Sequence, residues 1–204
     1  ARIIESRTKA LTDAEKELTF IEKNKIRVYS FSDEDYTSRL RECQDAPVVC
    51  SYKGHTDLDV KHIISIVGTR KATEYGRQLT ASLIKDLSAS FPEILIVSGL
   101  AYGIDICAHR HALKNGLPTV GVLAHGLDRI YPAAHRNTAA EMLTHGGLFT
   151  DFISGTNPDR KNFLQRNRLI AGLADATIVV ESAEKGGALV TADIACSYDR
   201  DVYA

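Results

Sequence analysis

The stretch Ile63-Ile64-Ser65-Ile66-Val67-Gly68-Thr69-Arg70 decides the fold of this chain. Its apolar run ends in a glycine, a hydroxyl group and an arginine, and a helical pattern begins a few residues later. This order predicts a buried strand whose carboxyl end opens into a polar site. The glycine allows the backbone to turn tightly, and the arginine follows at a position where an anion would bind.

The segments after this stretch repeat the order of strand and helix. Further strands are predicted at residues 94–97, 119–124, 148–150, 177–180 and 202–203, and helices at about 74–88, 104–114, 134–144, 163–173 and 188–197. The strands are continuous apolar runs without polar alternation, which is typical of a parallel sheet that is covered on both faces. The sequence therefore predicts an α/β fold, a doubly wound and mostly parallel sheet with helices on both faces.

Residues 1–60 differ from this pattern. We expect them to form an N-terminal α/β extension that packs on a main domain of residues 61–204. A helix is predicted from Thr12, with Leu18, Ile21 and Ile26 as its apolar face. A strand at 27–31, a second helix from residue 32 or 33 to about 43, and a strand at 47–52 follow.

The composition limits the classes of protein that this chain can belong to. It has 204 residues, of which 44% are apolar, and this is enough for a sizeable core. No apolar run approaches the roughly 18 residues that a membrane helix needs. The four cysteines form no CxxC pair, which favours free thiols in a reducing cytosol. Because the net charge is −1, a nucleic-acid surface would have to be a local patch.

Small and polar residues follow four of the predicted strands. They are Gly68-Thr69-Arg70, Ser98-Gly99, Gly126-Leu127-Asp128 and residues 181–187. Each segment precedes a predicted helix, whose unpaired N–H groups attract anions. A single such turn is explained by a short strand–helix connection, but four turns at one edge of the sheet favour an anion site.

The fingerprints of the common nucleotide sites are missing. Gly68 does not begin a GxGxxG sequence, no acidic residue closes the next strand, and there is no Walker A sequence. The histidines have no regular ligand spacing, so a metal site is not expected either. We therefore predict no cofactor.

The segment 160–168 is the most distinctive local signal. It contains four cations, Arg160, Lys161, Arg166 and Arg168, no acidic residue, and one aromatic ring, Phe163. On a helix Arg166 would lie beside Phe163, and a ring next to phosphate-binding cations suits single-stranded nucleic acid. Three cations from other strand ends would join it at the same edge, namely Arg70, Arg136 and Lys185. The alternative is a solvated basic helix with Phe163 in the core.

Catalytic patterns are weak. Ser98 precedes a glycine but lacks the GxSxG sequence of a nucleophile elbow. Asp105 and His109 are four residues apart, yet an aspartate near a helix start is more often a cap. Since no nucleophile is paired with a base, we predict that the chain is not an enzyme.

Taken in order, the motifs of residues 60–204 resemble the DNA-processing protein A family (DprA, also called Smf). The matching segments are Gly68-Thr69-Arg70, Val97 to Asp105, Ala108-His109, Gly126-Leu127-Asp128 with Tyr131-Pro132, Phe163 with Arg166 to Leu173, and Val179 to Ala192. Tyr36, Leu40, Pro47 and Tyr52-Lys53-Gly54 extend the resemblance toward the N-terminus.

The resemblance implies an extended Rossmann-like fold without a nucleotide cofactor. It also implies a homodimer that binds and protects single-stranded DNA and loads the RecA recombinase during natural transformation. The DNA-contacting positions of the family correspond here to Arg70, Ser98, Gly99, Phe163, Arg166, Asn167 and Arg168, with Lys185 and Gly187 in the glycine-rich loop.

Some features depart from the family. We expect the C-terminal winged-helix-like domain of the family to be absent, and Asp199 stands where the family favours glycine. An alternative function is that of a nucleoside-monophosphate phosphoribohydrolase, since residues 186–191 resemble the phosphate loop of those enzymes. They need a glutamate shortly after the threonine, whereas Asp193 stands here at a different spacing. A protein-interaction scaffold, which would bind neither ligand, is a third hypothesis.

Overall fold

The protein is an eight-stranded sheet with helices on both faces. The computed structural model describes residues 2–204, with side chains from Arg7 onward. The strands are β1 (Arg27–Ser30), β2 (Val49–Gly54), β3 (Ile63–Val67), β4 (Leu95–Ser98), β5 (Thr119–Val122), β6 (Gly146–Thr150), β7 (Ala176–Val179) and β8 (Asp201–Tyr203). The helices are α1 (Arg2–Asn24), α2 (Ser38–Arg41), α3 (Glu74–Ser90), α4 (Ile104–Lys114), α5 (Arg136–Met142), α6 (Arg160–Leu173) and α7 (Gly187–Ser197).

The strand order is β1-β2-β6-β5-β4-β3-β7-β8. The six strands from β6 to β8 are parallel, whereas β1 and β2 are antiparallel to their neighbours. The predicted doubly wound, mostly parallel sheet is therefore confirmed. The opening stretch is β3, which lies between β4 and β7 and is buried along nearly its whole length.

Alternate residues of β3 show how the two faces are covered. Val67 belongs to the cluster that packs against α6 and α7 through Leu169 and Ala188. Ile66 points to the other face, where it belongs to the cluster of Ile84 and Ile104 from α3 and α4. Because side chains alternate along a strand, a continuous apolar run is needed to bury both faces.

The predicted strands after residue 60 and their connecting helices all occur, with ends shifted by a few residues. The predicted helix 134–144 is the largest exception, since it divides into a 3₁₀ turn at Ala133–His135 and the shorter α5. The N-cap of α3 is Thr73, whose hydroxyl oxygen accepts a hydrogen bond from the Gly76 N–H at 3.1 Å. Such a cap supplies a partner for one of the unpaired N–H groups at a helix start.

Two predictions in the N-terminal segment are wrong. The first helix does not start at Thr12, because α1 already begins at Arg2. The predicted helix from residue 32 or 33 to 43 is largely turns, and only α2 is helical. Here the Arg41 guanidinium donates to the carbonyl groups of Phe31 and Asp33, at 2.7 and 2.6 Å. These bonds stabilise a folded-back turn where the sequence pattern indicated a helix.

The N-terminal segment joins the sheet directly. β2 pairs with β6, and the Tyr52 hydroxyl donates to the Gly146 carbonyl at 3.0 Å. These hydrogen bonds cross the predicted boundary at residue 60. The division into residues 1–60 and 61–204 stays a prediction. Within the described residues, no helix is both long and apolar enough to cross a membrane.

Candidate nucleic-acid interface

A pocket of about 920 Å³ lies at the carboxyl ends of β3 and β7. Its walls are the loop after β3, the first two turns of α6, and the loop that leads into α7. The lining residues with ionisable side chains are Arg70, Asp105, Arg160, Arg166, Glu184, Lys185 and Asp193. Cations therefore outnumber acids by only one, so the pocket has no strong overall charge.

The loop after β3 is held by main-chain hydrogen bonds. The Thr69 N–H donates to the Glu181 carbonyl at 2.6 Å, and the Ile104 N–H donates to the Thr69 carbonyl at 3.2 Å. A side chain at Gly68 would collide with Ile104, so the glycine allows this close approach. The loop is fixed between β7 and α4, and the Arg70 side chain extends from it into solvent.

Two guanidinium groups lie close to the Phe163 ring. The Arg70 Cζ atom is 4.9 Å from the ring centroid and that of Arg166 is 5.7 Å from it. Both distances are within the range of cation–π attraction. Phe163 and Arg166 are neighbours because they are three residues apart on α6, as the sequence predicted. The pairing of Arg70 with this ring joins two segments that are distant in the chain.

Arg166 is buried beneath the pocket. Only 3% of the residue is exposed, and its Nη1 atom donates to the carbonyl groups of Gly99 and Val122. Burial lowers the pKa of Arg166 to about 10, although the negative charge of Asp105 acts in the opposite direction. Burial likewise raises the pKa of Asp105, and Arg166 opposes this shift. Among the described residues, the Arg166 Nε atom has no hydrogen-bond partner.

The glycine-rich loop supplies the opposite wall of the pocket. Lys185 is exposed, Gly186 is the N-cap of α7, and Gly187 begins this helix. The Asn167 side chain donates to the Gly187 carbonyl at 3.3 Å, which ties α6 to the start of α7. A helix start presents N–H groups without intrahelical partners, and these attract anions.

Not all predicted site residues line the pocket. Arg70, Phe163, Arg166, Asn167, Lys185 and Gly187 do. Ser98 and Gly99 lie beneath it: the Ser98 hydroxyl donates to the Ile66 carbonyl at 2.6 Å, and Gly99 packs on the Arg166 guanidinium. Arg136 is exposed at the start of α5 and is not among the lining residues. The assignment of all these residues to DNA binding stays a prediction.

Arg168 is directed away from the pocket. Its guanidinium contacts the Asp151 carboxylate and the Asp45 carbonyl group. Arg168, which the resemblance places among the DNA-contacting positions, does not line the pocket with Arg70, Arg166 and Lys185, and the reason is geometric. Residues two apart on a helix lie on nearly opposite sides, so Arg166 and Arg168 cannot face one ligand.

Sequence reasoning named four further residues of this region without assigning them to the DNA site. Arg160, from the basic segment 160–168, lines the pocket at the start of α6, and Glu184 and Asp193 bring acidic groups to it. The Tyr131 ring packs against Phe163 with 5.9 Å between ring centroids. The available signal for Tyr131 was its position after β5, at the same edge of the sheet as Gly68 and Ser98.

The histidine and aspartate that are four residues apart on α4 are both buried. The His109 Nδ1 atom is 2.7 Å from the Thr119 hydroxyl, and burial lowers the pKa of this imidazole to about 3. In the part of the chain with described side chains, no group of three or more histidine, cysteine or acidic residues could hold a metal ion.

The fold and the pocket define an α/β protein with arginines around an aromatic ring at the carboxyl edge of a parallel sheet. The chain belongs to the family of the DNA recombination-mediator protein A, whose model matches residues 27–204. It is 37% identical over 90% of its length to the DNA processing protein DprA of Streptococcus pneumoniae. It is 38% identical over 88% of its length to the protein of that name from Bacillus subtilis.

Solved structures agree with this assignment. The crystal structure of DNA processing protein A from Streptococcus pneumoniae has a TM-score of 0.83 and 35% identity, and the match covers 90% of this chain and 65% of that one. A structure of the Helicobacter pylori protein, described for its single-stranded DNA binding mode, has a TM-score of 0.77 and 29% identity, covering 87% and 79%. The present chain spans 64% of the Streptococcus and 60% of the Bacillus sequence.

Proposed function

We propose that this chain binds single-stranded DNA in the pocket at the ends of β3 and β7. The observation that carries this proposal is the proximity of the Arg70 and Arg166 guanidinium groups to the Phe163 ring. An aromatic face beside cations offers a base a stacking surface and offers the adjacent phosphate a charge partner. The related Helicobacter pylori protein is described as a single-stranded DNA binder, which supports the proposal.

The two arginines have different roles in this proposal. Arg70 is exposed, so it can move from the ring to a phosphate while a base takes its place. Arg166 is buried and bonded to two carbonyl groups, so it fixes Phe163 from below. Lys185 and the N–H groups at the start of α7 would contact the next phosphate. Stacking of one base contributes about 1–3 kcal/mol.

The salt dependence of binding follows from the exposed cations of the pocket. Arg70, Arg160 and Lys185 are exposed and free to neutralise phosphates. Three neutralised phosphates give a slope of about −2 in a plot of log affinity against log salt for a single strand. A slope near zero would contradict a phosphate-binding pocket.

The test is the affinity of a fluorescently labelled oligothymidylate, measured by anisotropy. We expect Arg70→Ala to weaken binding about tenfold, which corresponds to about 1.4 kcal/mol for a charge and a stacking partner. Lys71→Ala is the matched control, because Lys71 is an exposed cation one residue away that does not line the pocket. Equal affinities of wild type and Arg70→Ala would overturn the proposal. A duplex of the same length should bind more weakly.

We further propose that the protein acts without catalysis and passes its DNA to the RecA recombinase. The family description as a recombination mediator and the names of the DNA-processing relatives support this role. Added protein should accelerate RecA filament formation on single strands, measured as RecA ATPase activity. No base should be released from nucleoside monophosphates at high protein concentration. Release would favour a phosphoribohydrolase instead.

The proposal includes a homodimer in the cytoplasm that serves DNA uptake during natural transformation. Its four cysteines are free, three of them buried, which suits a reducing compartment. Light scattering after size-exclusion chromatography would test the dimer, since a monomeric mass at micromolar concentration would contradict it. The loss of transformation on deletion of the gene would test the role in uptake.

A further inference from the structure

We infer that the pocket is one end of a longer binding track, in which Tyr131 and Tyr102 are stacking platforms for further nucleotides. This inference rests on the proposed function, because it extends the same single-stranded ligand beyond Phe163. We call the three residues Phe163, Tyr131 and Tyr102 the aromatic track. The ring contacts of these residues and the exposed fraction of each tyrosine support a longer binding track.

Tyr131 continues directly from the pocket. Its ring centroid is 5.9 Å from that of Phe163, and the two planes are inclined by 54°. The residue is 46% exposed, so a large part of the ring remains open to solvent. Phe163 thus contacts the tyrosine ring, and the exposed part of the residue is available to a ligand. Arg70 and Arg166 hold the opposite part of the track.

Tyr102 is supported by a buried histidine. Its ring lies against His135 with 4.8 Å between centroids and 71° between the planes. The His135 Nδ1 atom is 2.8 Å from the Leu100 carbonyl, and its main-chain N–H donates to the Pro132 carbonyl at 3.0 Å. Since Pro132 follows Tyr131, these bonds connect the support of Tyr102 to the segment that carries Tyr131. Tyr102 is 49% exposed.

The surroundings of the two tyrosines suit a nucleic acid strand. Both residues stand on loops at the carboxyl edge of the sheet, after β4 and after β5. The exposed Arg136 immediately follows His135 and brings a cation to this end of the track. A base has a π-face whatever its sequence, so half-exposed rings with rigid supports bind single strands without sequence preference. The tyrosine hydroxyl groups keep these rings compatible with water in the free protein.

The test is a length series of oligothymidylates, from three to twelve nucleotides, bound to the full chain. In the wild type, affinity should rise with length until the track is filled. Tyr131→Ala and Tyr102→Ala should weaken the twelve-nucleotide ligand about tenfold and weaken the three-nucleotide ligand less than threefold. Tyr131→Phe should retain the wild-type affinity, because it keeps the ring. Thermal unfolding verifies that each variant is folded.

Phe91→Ala is the matched control. Phe91 is also 46% exposed and contacts another ring, but it lies between α3 and β4, at the opposite edge of the sheet. This variant should bind every length as the wild type does. If both tyrosine variants give the wild-type length series, the inference is overturned while the pocket proposal stands. If the wild type binds no length, both the pocket and the track are overturned.

Discussion

Arg166 and Arg168 stand two residues apart on α6, yet they belong to different parts of the molecule. Arg166 is buried under the pocket, where it holds the ends of β4 and β5 through Gly99 and Val122. Arg168 points to the other side, where it contacts Asp151 and the main chain at Asp45 of the N-terminal segment. One basic helix therefore contributes to the candidate site and to a structural contact at the same time.

This difference shows that the number of cations clustered in a sequence does not equal the number of cations that face one site. A helix distributes neighbouring residues around its axis, so every second side chain turns away from a given ligand. The exposed Arg70, from a separate loop, is a better candidate for phosphate contact than either helix arginine. We therefore expect stability to depend on Arg166 and Arg168, and DNA affinity to depend on Arg70.

The largest expected effect on stability is that of replacing Arg166. Arg166→Ala removes two hydrogen bonds to carbonyl groups and the positive charge that acts on the buried Asp105. A buried acceptor left without its donor costs about 1–3 kcal/mol, so the loss of both donors should lower the free energy of unfolding in urea by about 3 kcal/mol. Arg166→Lys should recover only part of it, since an ammonium group cannot reproduce the planar guanidinium. A loss below about 1 kcal/mol would mean that Arg166 does not hold the strand ends.

A second effect on stability comes from His109 and depends on pH. The pKa of His109 is lowered from 6.5 to about 3 by burial and by the nearby charges of His135 and Arg166. In the unfolded chain this histidine takes up a proton near pH 6.5, whereas the folded protein keeps it neutral until about pH 3. Stability should therefore be complete above pH 6.5 and fall as the pH decreases, by about 2 kcal/mol between pH 7 and pH 5.

His109→Asn provides the control for this pH dependence. Asparagine keeps a polar atom near the position of Nδ1, which bonds the Thr119 hydroxyl. The variant should lose most of the decrease in unfolding free energy between pH 7 and pH 5. If wild type and variant have the same slope, the buried histidine is not its source.

On the opposite side of α6, Arg168→Ala should cost less. The ion pair with Asp151 is partly buried, with side-chain exposures of 15% and 6%. Its loss leaves the Asp151 carboxylate without its cation, so we expect the free energy of unfolding to fall by about 2 kcal/mol. The affinity for an oligothymidylate should stay within twofold of the wild type. A tenfold weaker affinity in a folded variant would place Arg168 in the DNA site after all.

The smallest effect on stability is expected for Arg70→Ala. This side chain is exposed and contacts the Phe163 ring, so the free energy of unfolding should change by less than about 0.5 kcal/mol. The salt dependence of DNA binding should lose about one phosphate contact, which reduces the slope by about 0.7. An unchanged slope with weaker binding would show that Arg70 acts on the ring and not on a phosphate.

Much of the fold could be predicted because strand and helix periods are local properties of the sequence. The runs around Ile66 and Val97 bury both sheet faces, and no alternating pattern competes with them. The turns at residues 31–36 could not be predicted, since they depend on the Arg41 side chain reaching back to the main chain. The local hydrophobic pattern of a sequence does not indicate where a long side chain will form hydrogen bonds with the main chain.

The site was predictable in part for a similar reason. The proximity of Phe163 and Arg166 follows from helix geometry, and the edge of the sheet follows from the strand ends. The contact of Arg70 with Phe163 depends on how distant segments pack. The opposite direction of Arg168 follows from helix spacing, but its acidic partner comes from the loop after β6, which no spacing on α6 reveals.

The position of β3 between β4 and β7 has a consequence for the newly synthesised chain. Ser65 and Thr177 share a hydrogen bond across 112 residues, so one side of β3 has no partner until β7 has been translated. The pocket needs both strands and the start of α7, and therefore it cannot form before these segments have been translated. A ribosome-bound chain that has not yet released residues 176–190 should hold a partly formed sheet and have no affinity for DNA.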